Sequence, residues 1–292
     1  FASITTIMMR QLFALLFSFF VITNPSYGQE IFGKAKNNFR NFAGKTTMVV
    51  ANSTDFTDLS IVDAVKSGWK ISPFEICTLS EFEKLKTDTS YYFLMRVDGK
   101  FKNEGEAKIE YLTLVKGGPG SKKGISKMYE IATLPLQAIG DESGEAFFFI
   151  PAYIDIIQSH IINVGSEILK AYVGNSFYTN RIDNAGDKKI IFDKEDLGFE
   201  LDPAEADTLF RKKVTIGDES TVEKAILESA AETLVGFTIS PKGNSSGSYS
   251  YKLIIDAETH DLLFFRRHKI SGRLPKGFTK EDIKRVSIPF RK

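Results

Sequence analysis

An α/β (α+β) protein is what this sequence predicts: mixed β-sheets flanked by helices, in two subdomains behind an N-terminal signal peptide. Three observations lead there. Short β-branched runs such as Thr46–Val50 alternate with segments of helical period such as Leu59–Trp69. Polar, turn-forming tracts separate them at short intervals. One apolar run near the start of the chain stands outside that alternation.

That run is Leu12–Ile22 (LFALLFSFFVI). Arg10, the only charge in the first 28 residues, precedes it, and Thr23-Asn24-Pro25-Ser26 and the small Gly28 follow it. Basic, apolar, small is the order of a secretory signal peptide. Eleven residues are too few to cross a hydrocarbon core of ~30 Å, so a permanent membrane helix is disfavoured. Met8 or Met9 reads as the start, residues 1–7 as an upstream extension, and residues 1–28 as the cleaved leader. No cysteine stands at the exit to take a lipid. The expected product is periplasmic or secreted, with no membrane anchor after cleavage.

Residues 29–178 form the first expected subdomain. Gln29–Gly44 is rich in Asn, Lys and Phe and reads as a short helix or an arm. Thr46–Ala51 is a strand buried on both faces. The helix Leu59–Trp69 takes Asp58 as its cap and cannot continue through Ser72-Pro73. Phe74–Leu79 is a strand, and Leu79–Lys86 a short helix capped by Ser80. Tyr91–Val97 and Ile109–Val115 are strands, with Asp98-Gly99 as a turn after the first. Gly117–Gly124 reads as the most flexible tract, followed by a strand at Met128–Leu134 and extended chain at Phe147–Ile150. Pro151 is expected to open a helix running to about Val173, because a missing N–H costs nothing in a first turn. Its stripe of Ile154, Ile157, Ile161, Val164, Ile168 and Tyr172, widened by Ile156, Ile162 and Leu169, predicts a helix sandwiched between other elements.

Tyr178–Gly186 is the expected boundary, and residues 187–292 the second subdomain. Strands are expected at Lys189–Phe192, Lys213–Ile216, Leu234–Ser240, Tyr249–Asp256 and Leu262–Ile270. Helices fall at Pro203–Phe210 after Asp202, Thr221–Glu232 after Ser220, and Lys280–Val286. The last two long strands should form a hairpin turning at Ala257-Glu258-Thr259-His260. Ile61–Val97 and Val222–Asp256 share a helix–strand–polar linker–strand outline, which raises the question of an internal duplication.

Composition excludes several roles. Removing the leader takes Arg10 away and leaves Lys+Arg equal to the 37 Asp+Glu. A balanced charge supplies no global field for nucleic acid or an anionic membrane. Hydrophobic residues, at 42%, suffice for a core. Cys77 is the only cysteine, so no intramolecular disulfide can form. Its strand setting reads as a half-buried structural thiol, since a reactive one needs exposed, electropositive surroundings.

Candidate chemistry is sparse. Gly117, Gly118, Gly120, Ser121, Lys122 and Lys123 invite a phosphate-cradle reading, because glycines let backbone N–H groups approach an anion. The tract lacks the Gly-x-x-x-x-Gly-Lys-Ser/Thr pattern leading into a helix, which favours a plain hairpin loop. His160 and Glu167 share a polar helix stripe that could hold a general acid/base pair, or could simply face solvent or a neighbouring loop. His260 and Asp256 sit with Glu258 and Asp261 at the hairpin turn. A metal site needs three or four convergent ligands, and no zinc or calcium signature occurs; no metal or cofactor is expected. Arg266-Arg267-His268-Lys269 is locally basic, but alternation sends its members to opposite faces, as in an edge strand protected by charge. No Gly-x-Ser-x-Gly elbow is present.

Trp69–Glu75, Tyr91–Leu94, Tyr251–His260 and Pro275–Phe278, with the leader exit Tyr27-Gly28-Gln29, resemble uncharacterised exported proteins of Bacteroidetes bacteria. The Tyr251–Asp256 and Leu262–Phe265 hairpin is also similar to PepSY-type modules, which are exported binding or inhibitory units. Their usual Thr-Gly turn is Thr259-His260 here. The resemblance implies an exported address and brings no catalytic residues. The expected role is a non-enzymatic envelope module binding a partner protein or small ligand. The alternative is an envelope hydrolase whose acid/base residues come from distant loops.

Overall fold

The computed structural model describes residues 38–99, 106, 108–166, 178, 181–210, 214–243 and 245–287. The expected leader, with Leu12–Ile22, and Glu167 lie outside them. The first sheet contains β1 (Thr46–Val50), β2 (Phe74–Cys77), β3 (Tyr91–Gly99), β4 (Ile109–Lys116) and β5 (Tyr129–Ala138), ordered β2-β1-β3-β4-β5. The second contains β6 (Lys189–Asp193), β7 (Val214–Gly217), β8 (Thr233–Ile239), β9 (Tyr249–Asp256) and β10 (Leu262–Lys269), ordered β10-β9-β8-β6-β7. In each, the first three strands in chain order run parallel and the last two return antiparallel. Both sheets are therefore mixed, as the sequence predicts.

Among the described residues the helices of seven residues or more are α1 (Phe56–Gly68), α2 (Leu79–Leu85), α3 (Ala146–Ser166), α4 (Pro203–Phe210), α5 (Glu219–Leu227) and α6 (Lys280–Ser287). One order of elements, β-α-β-α-β-β-β-α, thus occurs twice. The outline read from sequence is off by one βα unit, because it sets α1 against α5. The strand registers match α1 with α4 and α2 with α5. Thr46 pairs with Tyr91 as Lys189 pairs with Thr233, and Tyr92 pairs with Lys116 as Leu234 pairs with Asp256.

Capping residues sit earlier than periodicity suggests. Asp55, not Asp58, caps α1 by accepting the Asp58 N–H at 3.0 Å. Thr78 caps α2 in a capping box with Glu81, and Asp218 caps α5 by accepting from Thr221. Each is the last polar side chain before the helix whose oxygen reaches a free N–H of the first turn. Pro151 lies inside α3, not at its start. Phe147 and Phe148 donate to Gly144 and Glu145, so a tight first turn already exists and the proline removes one later bond. The part of the expected stripe beyond residue 166 lies outside the described residues.

The connections in each half go first one way and then back, which places their helices on opposite faces of the sheet. Ile61, Val62 and Val65 of α1 and most of α3 pack on one face of the first sheet, with Tyr92 and Leu94. Phe82 of α2 packs on the other, with Met48, Phe93 and Met95. In the second half, Ile283 and Val286 of α6 lie with Leu234 and Ile254, while Val222 and Ile226 of α5 share a cluster with Val235 and Phe237. That last cluster is continuous with the α1–α3 core, so the halves stack front to back with α3 between the two sheets. The expected sandwiched helix is therefore found, although Ile162 on it is exposed. Ala146–Val164 is long and apolar enough to cross a membrane by composition, and is mostly buried inside the protein.

The tract expected to be most flexible is packed. Residues 119–123 and 125–127 form two 3₁₀ turns that seat Ile125 and Met128 in the α2-side core. A Cβ on Gly117 would meet the Asp88 carbonyl oxygen at 2.0 Å, so a glycine is needed where the two backbones touch. At the far end of the molecule, Lys252 and Asp282 form a buried ion pair that Arg266 joins at 2.9 Å, latching α6 to β9 and β10. Arg267 lies instead over the Tyr249 ring, so the basic run divides between faces as alternation predicts.

Candidate functional site

In a sheet ordered β2-β1-β3, the chain leaves neighbouring strands in different directions, and loops part at their carboxyl ends. A crevice of about 440 Å³ opens there, within the range of small-ligand sites. Val50 and Asn52 border it from β1 and the loop beyond, Leu79 and Ser80 from α2, and Met95 and Arg96 from β3. Leu79 is 45% exposed; nearby on the sequence, Phe56 is 79% and Ile76 48% exposed.

Arg96 fixes the polar side of the crevice. Its Nε donates to Asp58 at 2.6 Å, while its terminal nitrogens reach Asp55 at 2.6 Å and Glu110 at 3.1 Å. Asp58 also accepts the Asn52 N–H at 2.8 Å, which ties the β1 loop to α1. Gln137 of β5 donates to Glu110 at 2.7 Å. Burial alone would lift Asp55, but the Asp58 N–H and Arg96 hold it below the ordinary carboxylate value. Burial wins for Glu110, which lies above its usual value despite Arg96. A planar guanidinium with a fork of donors suits such a three-carboxylate junction.

The corresponding place in the second half is occupied. Register matches Met95 with Phe237 and Arg96 with Thr238. The first turns of α3 lie there: Phe149 stacks on Phe237 with ring centroids 3.9 Å apart. Beside it a small pocket of about 50 Å³ is bordered by Leu136 and Ala138 of β5, by Glu145 and Phe149, and by Thr238 and Ser240. Burial, then the carboxylates of Glu219, Asp141, Asp193 and Glu223, push Glu145 up to about 7. Asp196 accepts from the Thr238 hydroxyl, and burial pushes its carboxyl up to about 8 against that bond.

The residues singled out by sequence are not assembled with either place. His160 is buried, with Nδ1 2.9 Å from the Tyr178 hydroxyl and its ring edge against Phe39. It faces the segments leading into β1 and β6, not solvent. Its proposed partner Glu167 lies outside the described residues. His260 meets Asp155 of α3 at 2.7 Å, not Asp256. Asp256 is buried; it accepts the N–H groups of Glu258 and Thr259 and pairs with Lys188 at 2.5 Å. The pair expected of His260 and Asp256 is thus absent, because the turn directs His260 outward at φ 59° to α3.

In the glycine tract, Gly117 and Gly118 donate to the Tyr91 and Lys86 carbonyls, and Ser121 and Gly124 to Gly118 and Ser121. Those N–H groups are turned inward; Gly120 packs against the Lys127 carbonyl, and Lys122 and Lys123 are exposed. Cys77 is buried, and burial, then Glu81 and Glu75, push its thiol up to about 11, as suits a structural thiol. Among the described residues, no group of three or more His, Cys, Asp or Glu could hold a metal ion.

Sequence reading missed Arg96, Asp55, Asp58 and Glu110. One signal was available: Arg96 is the only cation in the otherwise apolar stretch Tyr91–Val97, and a charge inside a buried strand needs partners. Comparison with protein-family models, curated proteins and solved structures gives no match.

Proposed function

We propose that the protein is a non-enzymatic binding module that holds an apolar or aromatic group in the crevice above β1–β3. One observation carries the reading: a volume of about 440 Å³ at the strand carboxyl ends, with an apolar border from Val50, Leu79 and Met95 and a fixed polar corner at Arg96. Sites of this kind pair an apolar lining with a few placed polar groups. The reading includes export, supported by the basic–apolar–small order of Arg10, Leu12–Ile22 and Gly28. Mass spectrometry of the native protein, giving Gln29 as the first residue, is the expected result for that part.

The hydrolase reading has the His260–Asp155 contact in its favour. That contact lies at the opposite end of the second sheet from the strand carboxyl ends, since Asp256, just before the turn, pairs with Leu234 near the start of β8. Binding remains the better reading. Methyl NMR of methionine-labelled protein against a set of small aromatic and aliphatic compounds tests it. Shifts at Met95 that disappear in Ser80→Trp are expected. No shift from any compound would remove the proposal.

A further inference from the structure

The internal repeat shows what such a crevice holds when it is filled. Thr78 and Asp218 cap equivalent helices, Val50 and Asp193 end equivalent strands, and Met95 and Phe237 lie at equivalent register positions. In the second half, the place these residues frame is taken by the first turns of α3, with the Phe149 ring flat on Phe237 and Tyr153 beside it. The first half has no such visitor among the described residues. In its place, residues 117–128 cover part of the same face through Ile125 and Met128, and among the described residues nothing fills the carboxyl end.

The geometry points to the first turn of a partner protein's helix as the occupant of the open crevice, an aromatic side chain resting over Met95 as Phe149 rests on Phe237. This deepens the proposed binding role and rests on it. The differences between the two places sharpen the partner's chemistry. Where the second half has Glu219 and Asp193 beside Glu145, the first has Leu79 and Val50. Two carboxylates are thus exchanged for apolar side chains, while Arg96 is already shared among Asp55, Asp58 and Glu110, so the visiting turn is better matched by apolar contact than by an acidic residue. Leu79, nearly half exposed, gives the aromatic group an apolar border.

A second copy of this chain does not fit. Its equivalent of α3 is α6, whose outward residues Lys280, Glu281, Lys284 and Arg285 are exposed and charged. The face that α3 turns toward the second half carries Phe149 and Tyr153. A different protein, presenting an aromatic residue in the first turns of a helix as α3 presents Phe149, matches the open place.

The probe is a synthetic peptide of Asp141–Tyr153, titrated into the folded protein carrying labelled methionine methyls. Saturable shifts at Met95 are expected, lost in Ser80→Trp and weakened about tenfold or more when the peptide carries Phe149→Ala. Equal binding of the Phe149→Ala peptide would overturn the aromatic-turn inference. So would a silent Met95 with the native peptide while small aromatic compounds still shift it; the crevice would then remain a small-ligand site. Silence toward both peptide and compounds would overturn this inference and the binding reading together. Far-UV circular dichroism of Ser80→Trp, matching the parent, ensures that lost shifts report blocking.

Discussion

The hydroxyls of Tyr111 and Tyr251 lie 2.8 Å apart, and the two residues hold the same register position in the two halves. Tyr111 pairs with Val97 of β3, and Tyr251 with Ile239 of β8. The repeat therefore touches itself at equivalent tyrosines, with rings edge to face at 5.9 Å. Removing either hydroxyl should cost about 1–2 kcal/mol, and removing both should cost less than the sum by about 0.5–1 kcal/mol. Urea unfolding of Tyr111→Phe, Tyr251→Phe and the double variant checks this. Strict additivity would mean that the contact contributes nothing of its own.

A pH dependence follows from Glu145 and Asp196. Their carboxyls are raised to about 7 and about 8 in the native protein, against roughly 4 in an unfolded chain. The native state thus keeps protons that the unfolded state has already lost. Stability should fall as pH rises from about 4 through 7 for Glu145 and through 8 for Asp196, then level off. Asp218, lowered to about 2 by Thr221 and Ser220, acts in the opposite sense, but only in acid. The urea midpoint should be higher at pH 5.5 than at pH 8.5, and Glu145→Gln should flatten the decline. A midpoint rising across that range would contradict it.

Arg96→Met leaves the half-buried Asp55 and Glu110 and the buried Asp58 without their cation. The expected loss is about 3–5 kcal/mol, the scale for breaking an enclosed ion pair from one side. Arg96→Lys should recover only part, because an ammonium cannot fork toward three carboxylates. Equal stability of the lysine variant and the parent would show that charge, without geometry, is enough.

His260 combines strain with a useful contact. Its φ of 59° disfavours a side chain, while its ring reaches Asp155 at 2.7 Å. His260→Ala loses the contact and keeps the strain, whereas His260→Gly loses both. The alanine variant should be less stable than the glycine variant by about 1 kcal/mol in thermal or urea unfolding.

Most strands and helices were legible because burial forces a period: Tyr249–Asp256 and Pro203–Phe210 have the bounds the sequence predicts. Helix starts were less so, since Asp55 and Asp58 both satisfy capping chemistry and both reach Arg96, and only the backbone path, which brings the Asp58 N–H to the Asp55 carboxylate, separates them. Pro151 was read as a helix start because its tolerance inside α3 depends on turns formed upstream. Gly117–Gly124 read as loose because glycine signals both freedom and close contact; the Asp88 carbonyl that decides between them comes from another loop. The candidate site was illegible for a related reason: its carboxylates come from α1 and β4 and meet only through the sheet order.

The two halves also differ in their independence. Strands β4 and β5 are joined by residues 117–128, which fold back as a lid, while β9 and β10 are joined by the tight turn at 257–261. The second sheet borrows its cover from its neighbour through α3. Cut away at residue 181, it would present Phe237, Tyr251, Leu253 and Ile255 to water and clump, whereas residues 38–166 carry their own roof. Of the two halves, the first is therefore the one better equipped to stand alone.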